Sequence, residues 1–152
     1  MNNDILVIGY GNTLRGDDGV GYYAAMALTE RLPDLTVLAC HQLNIELAEA
    51  VSRAEQVLFI DAREGSQPGR ITVETVQPLT MPRRAFSHHL TPSALLECAR
   101  QIYGRHPQGL TFSVEGQAFG FSEQLSLEVQ AALPFLIDRI VQQIGCAVHV
   151  QA

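Results

Sequence analysis

Lysine is missing from this chain: all ten of its basic residues are arginine. That absence removes Schiff-base chemistry and the Gly-Lys-Ser/Thr step of a phosphate-binding loop. A Gly-x-Ser-x-Gly elbow and a Cys-x-x-Cys pair are also lacking, which leaves ordinary serine hydrolysis and dithiol redox chemistry without support. Cysteine is scarce. Cys40, Cys98 and Cys146 are an odd number with no paired spacing, and they read as buried thiols of a reducing cytosol rather than a disulfide or a zinc knot. Positive charge is in deficit, with a formal net charge of −6, and this argues against nucleic acid and anionic membranes as partners. No apolar run is long enough to span a bilayer, and no basic region precedes the apolar start, so the chain is expected in the cytoplasm without membrane insertion.

What remains is a 152-residue chain, 47% hydrophobic, that reads as one domain over residues 1–152. A domain of that size buries roughly two-thirds of its unfolded surface. Apolar runs at 4–8, 56–60 and 110–114 predict buried strands, with a second strand at 36–40. Residues 70–76 alternate in part and predict an edge strand, preceded by a loop from Ala62 to Gly69. Helical spacing predicts a helix from about Val20, stopped by Pro33, and a short one ending near Arg53. A third starts with Thr91 as cap and Pro92 at its first position, and ends at Gly104. A last helix is predicted from about Ser126, kinked or divided by Pro134 and stopped by Gly145, with 146–152 as a loose tail. Strands alternating with helices indicate an α/β fold.

The chain is organised around Gly9-Tyr10-Gly11-Asn12-Thr13-Leu14-Arg15-Gly16-Asp17-Asp18-Gly19-Val20-Gly21, the turn from the first strand into the first helix. In open α/β sheets ligands sit beyond the carboxyl ends of the strands, so a site belongs here. It is not a dinucleotide turn: Leu14 stands where the third glycine is needed, and the second strand ends in Cys40 rather than an acid. The turn presents two adjacent carboxylates beside Arg15, a set that repels phosphate and attracts a cation. Either acid can cap the helix; with Asp17 in that role Asp18 is free.

Asp61 follows a buried strand, and His88 and His89 lie in a loop at a helix amino end, where a neutral imidazole is favoured and can ligate a metal. If the strands are parallel neighbours, Asp18, Asp61 and one of the two histidines come from the same end of one sheet. Two carboxylates and an imidazole suit a divalent transition metal with open coordination positions. Glu115, after the strand at 110–114, reads equally as a wall of the site or as a cap for nearby amides. Arg15 can pair with Asp17 or meet a substrate, Asn12 ties the turn together or touches substrate, and Tyr10 reads as a packing residue. His41, His106 and His149 have no partner in sequence and read as surface residues.

The motifs also resemble a known family. The glycine-rich turn, Gln42-Leu43 followed by Glu46-Leu47-Ala48, Phe59-Ile60-Asp61-Ala62, Ser87-His88 leading to Leu90-Thr91-Pro92, and Ser113-Val114-Glu115-Gly116 occur in the order found in hydrogenase maturation endopeptidases. The resemblance spans nearly the whole chain. It implies a three-layer α/β sandwich around a twisted, mainly parallel five-stranded sheet, and an enzyme that removes the carboxyl-terminal tail of the [NiFe]-hydrogenase large-subunit precursor. It further implies Asp18, Asp61 and His88 as metal ligands, with His89 the lesser choice; the same three are expected as catalytic groups, and Asn12, Arg15 and Glu115 are expected to bind substrate. The ion implied is nickel already carried by the precursor, for which other divalent metals such as zinc or cadmium can substitute; the chain is expected to act as a monomer. Two other functions compete: a nickel-dependent docking module that binds the precursor without cutting it, and a nucleotide-binding α/β domain.

Overall fold

The computed structural model describes residues 4–87 and 90–151. Strands β1 (Ile5–Tyr10), β2 (Thr36–Cys40), β3 (Gln56–Glu64), β4 (Ile71–Val76) and β5 (Gln108–Gly116) are interspersed with helices α1 (Val20–Arg31), α2 (Ala48–Arg53), α3 (Pro92–Tyr103) and α4 (Leu127–Gln151). The strands form one sheet in the order β2-β1-β3-β5-β4. Every pairing is parallel except that of the edge strand β4, which runs antiparallel to β5.

Alternation along β1 shows why its sequence is apolar without a break. Ile5 and Val7 enter a core shared with Val20 and Leu28 of α1 and Leu136 and Ile140 of α4. Leu6 and Ile8 enter a second core with Val51 of α2 and Leu95 and Leu96 of α3. A parallel strand covered on both faces needs no polar positions. The α/β fold is as the sequence predicts, and the three-layer sandwich around a mainly parallel five-stranded sheet is as the resemblance implies.

Three boundaries differ. β3 does not give way to a loop at Ala62, because Ala62, Arg63 and Glu64 pair with Val114, Glu115 and Gly116 of β5. The register of a partner from far along the chain supplies these bonds, and local composition carries no sign of it. Gly145 does not stop α4, which runs on to Gln151, and Pro134 lies inside the helix without dividing it. Burial of Ile140 and Ile144 in the first core outweighs the cost of about 1 kcal/mol for a helical glycine. Of the three free thiols only Cys98 is buried; Cys40 is half-buried and Cys146 exposed.

α1 lies unusually close to the sheet. A Cβ on Gly21 would overlap the carbonyl oxygens of Tyr10 and Ile60, and one on Gly9 would overlap the Gly21 carbonyl. This contact sets the depth of the first turn relative to β3, and so the distance between the acids that each carries. Helix propensity favours alanine over glycine by about 1 kcal/mol, whereas forcing atoms into a filled core costs about 1–3 kcal/mol. Overlap with backbone cannot be relieved by a rotamer change, so the second effect wins. Gly21→Ala is expected to destabilise the protein by about 2 kcal/mol in urea unfolding; a gain in stability would show that the helix is free to lift away.

Candidate functional site

β1 and β2 end in register, Tyr10 opposite Cys40, and both release the chain at the same end of the sheet. The first turn is anchored there by the Gly11 amide, which donates to the Cys40 carbonyl at 3.1 Å. β3 goes further. Its last pair with β1 is Ile60 opposite Gly9, so Asp61 is the first residue of β3 past the ladder with β1 while still pairing with Ser113 of β5. An acid at that step faces the open end of the sheet with strand structure behind it.

Two hydroxyls seat the Asp61 carboxylate. Tyr10 Oη donates to Oδ2 at 2.7 Å and Ser113 Oγ donates to Oδ1 at 2.6 Å. Burial pushes the Asp61 carboxyl above the usual range, opposed by these two bonds and by Arg63, and reinforced by the negative charge of Asp18. Burial and the neighbouring Asp61 charge likewise push the Tyr10 phenol up, so it stays a donor. Tyr10 is therefore more than the packing residue its sequence suggests.

Asp18 is set by the turn itself. Its Oδ2 accepts the Asn12 amide at 2.8 Å, while Asn12 Oδ1 accepts the Leu14 amide at 2.9 Å. Asn12 thus ties the turn together, as one of its two sequence readings holds. Asp18 Oδ1 has no hydrogen-bond partner among the described residues, and α1 takes no side-chain cap from either acid. A cavity of about 380 Å³ is lined by Asp18 and Asp61 together with Asn12, Arg15, His41 and Gln42. Arg15 makes no ion pair among the described residues and so does not hold Asp17. The His41 ring stacks on Tyr22 at a centroid distance of 5.3 Å and reaches the cavity wall, which its isolated place in the sequence does not reveal.

Asp17 does something other than capping. It is fully buried, and its carboxylate accepts the amides of Gln117, Ala118 and Ser126 and the Ser126 hydroxyl at 2.7–3.0 Å. Burial works to raise its pKa, but the three backbone amides and the hydroxyl outweigh it, and the carboxyl lies below the usual range. Backbone bonds extend the clamp: the Asp17 amide donates to Ala118 O, and the Gly16 amide to Ser122 O, both at 2.8 Å. The acid next to Asp18 is thus the fixture that holds the turn against the segment leading into α4.

Of its two sequence readings Glu115 takes the second, an acceptor for nearby amides. It is 8% exposed, its Oε1 accepts the Gln67 amide at 3.4 Å, and Arg70 Nε lies 3.7 Å from Oε2. It braces the connection between β3 and β4 and does not line the cavity, the alternative its sequence position left open. His88 and His89 lie outside the described residues; Leu90, which follows them, lines the cavity. Among the described residues no three His, Cys, Asp or Glu side chains stand together in a group able to hold a metal ion. The two acids fit such a role as a pair, with lone pairs uncommitted on each carboxylate.

Comparison with protein-family models finds no match, and comparison with curated proteins finds none either. Solved structures do match. A hydrogenase 2 maturation peptidase from a Thaumarchaeota archaeon shares 28% identity, with a TM-score of 0.72 over 93% of this chain and 97% of that one. The [NiFe] hydrogenase maturation protease HycI from Thermococcus kodakarensis shares 23%, with a TM-score of 0.75 over 94% and 93%. The hydrogenase maturating endopeptidase HybD from E. coli shares 20%, with a TM-score of 0.74 over 94% and 93%. The chain thus resembles hydrogenase maturation endopeptidases in its fold as it does in the order of its motifs.

Two expectations follow from the seats of the acids. In Asp17→Asn one acceptor becomes a donor facing buried amides, which should cost about 2–3 kcal/mol at pH 7. Because the folded Asp17 carboxyl titrates below its unfolded value, its contribution is complete above about pH 4 and is lost as the pH falls through the folded value. The gap between the two proteins in urea unfolding should therefore narrow in acid, and a gap that widens would contradict the clamp. In Tyr10→Phe the Asp61 carboxylate loses a donor that favours its charged form. Its titration, followed by carboxyl NMR, should move upward; an unmoved or lowered value would show that Tyr10 does not seat it.

Proposed function

We propose that this protein is an endopeptidase that removes the carboxyl-terminal tail from the precursor of the [NiFe]-hydrogenase large subunit, with Asp18, Asp61 and His88 meeting the nickel that the precursor carries. The observation that carries the reading is the meeting of Asp18 and Asp61 on one cavity at the carboxyl end of the sheet. They come from distant parts of the sequence, and each leaves acceptor capacity unused. Two carboxylates that share a cavity repel each other, and a divalent cation relieves that repulsion. The same charges count against the nucleotide alternative, because they repel phosphate.

A divalent ion held there supplies Lewis acidity toward a peptide carbonyl or a water molecule. The chain's own groups orient and accept protons. Asp61 is the acid whose surroundings raise its proton affinity, and we assign it the role of accepting a proton from the attacking water. Arg15, exposed and unpaired among the described residues at the cavity wall, and Asn12 position the polypeptide. The reading places the protein in the cytoplasm with its substrate; among the described residues no helix is long and apolar enough to cross a membrane.

The test is incubation with large-subunit precursors, with and without nickel, followed by intact mass measurement. Loss of a carboxyl-terminal fragment only from nickel-loaded precursor is expected. Asp18→Asn and His88→Ala should each slow that loss by about a hundredfold or more, on the scale of effects around metal sites. Undiminished cleavage by both variants would remove the assignment, and tight binding without any cleavage would make the protein a docking module.

A further inference from the structure

Asp61 borders two cavities, on opposite flanks of β3. The first, with Asp18, lies toward β1 and β2. The second, of about 310 Å³, lies toward β5 and β4, between Arg63, Thr111, Ser113, Thr75, Gln77 and Ser93. Sheet geometry accounts for it. Phe59 points into the core beneath α3, and Asp61 and Arg63 follow on the same face by alternation, with Thr111 opposite Phe59 and Ser113 opposite Asp61 on β5. α3 begins only at Pro92, so this part of the face is left open. Apart from Val76 and Pro92 its described walls are polar; Arg63 lies 3.4 Å from Glu74, and Asp61 adds a further negative charge.

We infer that the second cavity receives the tail of the precursor, the segment released by cleavage, as an extended hydrophilic peptide. The inference rests on the endopeptidase reading of the first cavity. An endopeptidase holds its substrate on both sides of the bond it cuts, and Asp61 is the acid common to both flanks. Asp18 stands on the first cavity alone, so the nickel-bearing body belongs there, and a chain passing over Asp61 enters the second. Hydroxyl and amide groups of Thr75, Gln77, Ser93 and Thr111 offer donors and acceptors to an extended backbone. Hydrolysis adds one water across the bond, leaving a carboxylate on the body and a new amino group on the tail. That amino group emerges beside Asp61, where its charge is favoured.

A photo-crosslinking phenylalanine analogue in place of Gln77, an exposed wall of the second cavity, tests this with nickel-loaded precursor. Crosslinks mapped by mass spectrometry are expected on residues beyond the cut bond. A Ser93→Trp variant, which fills the cavity, should lower kcat/KM for processing at least tenfold, mainly through KM. Gln142→Trp on the exposed side of α4 should leave it unchanged. Far-UV circular dichroism confirms that each variant is folded. Crosslinks confined to the precursor body, or undiminished processing by Ser93→Trp, overturn the inference while wild-type cleavage keeps the proposed function intact. Failure of the wild-type protein to cut any nickel-loaded precursor overturns both.

Discussion

Four hydrogen bonds onto one buried carboxylate hold the candidate site in shape. Asp17 draws Gln117, Ala118 and Ser126 toward the glycine turn, joining residues a hundred positions apart. Asp18 is the next residue in the same short turn, so its position depends on that clamp. Hydrogen bonds to a charged group contribute more than neutral ones, and an unmatched buried partner is costly. A turn made of glycine, flexible by composition, becomes a fixed support for an acid.

The two acids that line the cavity are held in contrasting ways. Asp18 is fixed through the backbone of its own turn, by the Asn12 amide. Asp61 is fixed through two side chains from neighbouring strands, Tyr10 on one flank and Ser113 on the other. Its geometry is therefore a property of the sheet, and it survives only while β1, β3 and β5 keep register. The close seating of α1, which Gly9 and Gly21 permit, sets one acid relative to the other.

Much of this was legible in the sequence where the cause is local. The strand at Thr36–Cys40, the cap at Thr91 and the stop at Gly104 each rest on residue types whose conformational preference acts within a few positions. Asp61, expected at the end of its strand, lies inside β3 because the pairing with β5 carries that strand on to Glu64. What escaped depends on contacts distant in the chain. The extension of β3 to Glu64 follows from pairing with β5. The roles of Asp17 and Tyr10 were hidden because each finds its partner 51 or more residues away. The two readings of Glu115, site wall or cap for amides, were left level because they part only when the loop carrying Gln67 and Arg70 folds over it. The histidine assignment stays with the resemblance, since His88 and His89 fall outside the described residues.

The electrostatics of the pair give the proposed function its logic. Asp18 adds to the rise in Asp61's proton affinity, so the cavity alone holds two like charges at some cost. Here the described residues supply two acids, an open wall and polar ground on either side of Asp61. On the proposed function the cation arrives with the substrate and relieves that repulsion. A precursor without its ion then meets a negatively charged cavity that has nothing to hold, while a loaded one brings the charge that completes the site. On that account discrimination between unready and ready substrate needs no moving part: it follows from leaving two carboxylates uncompensated at the place where the polypeptide must be cut.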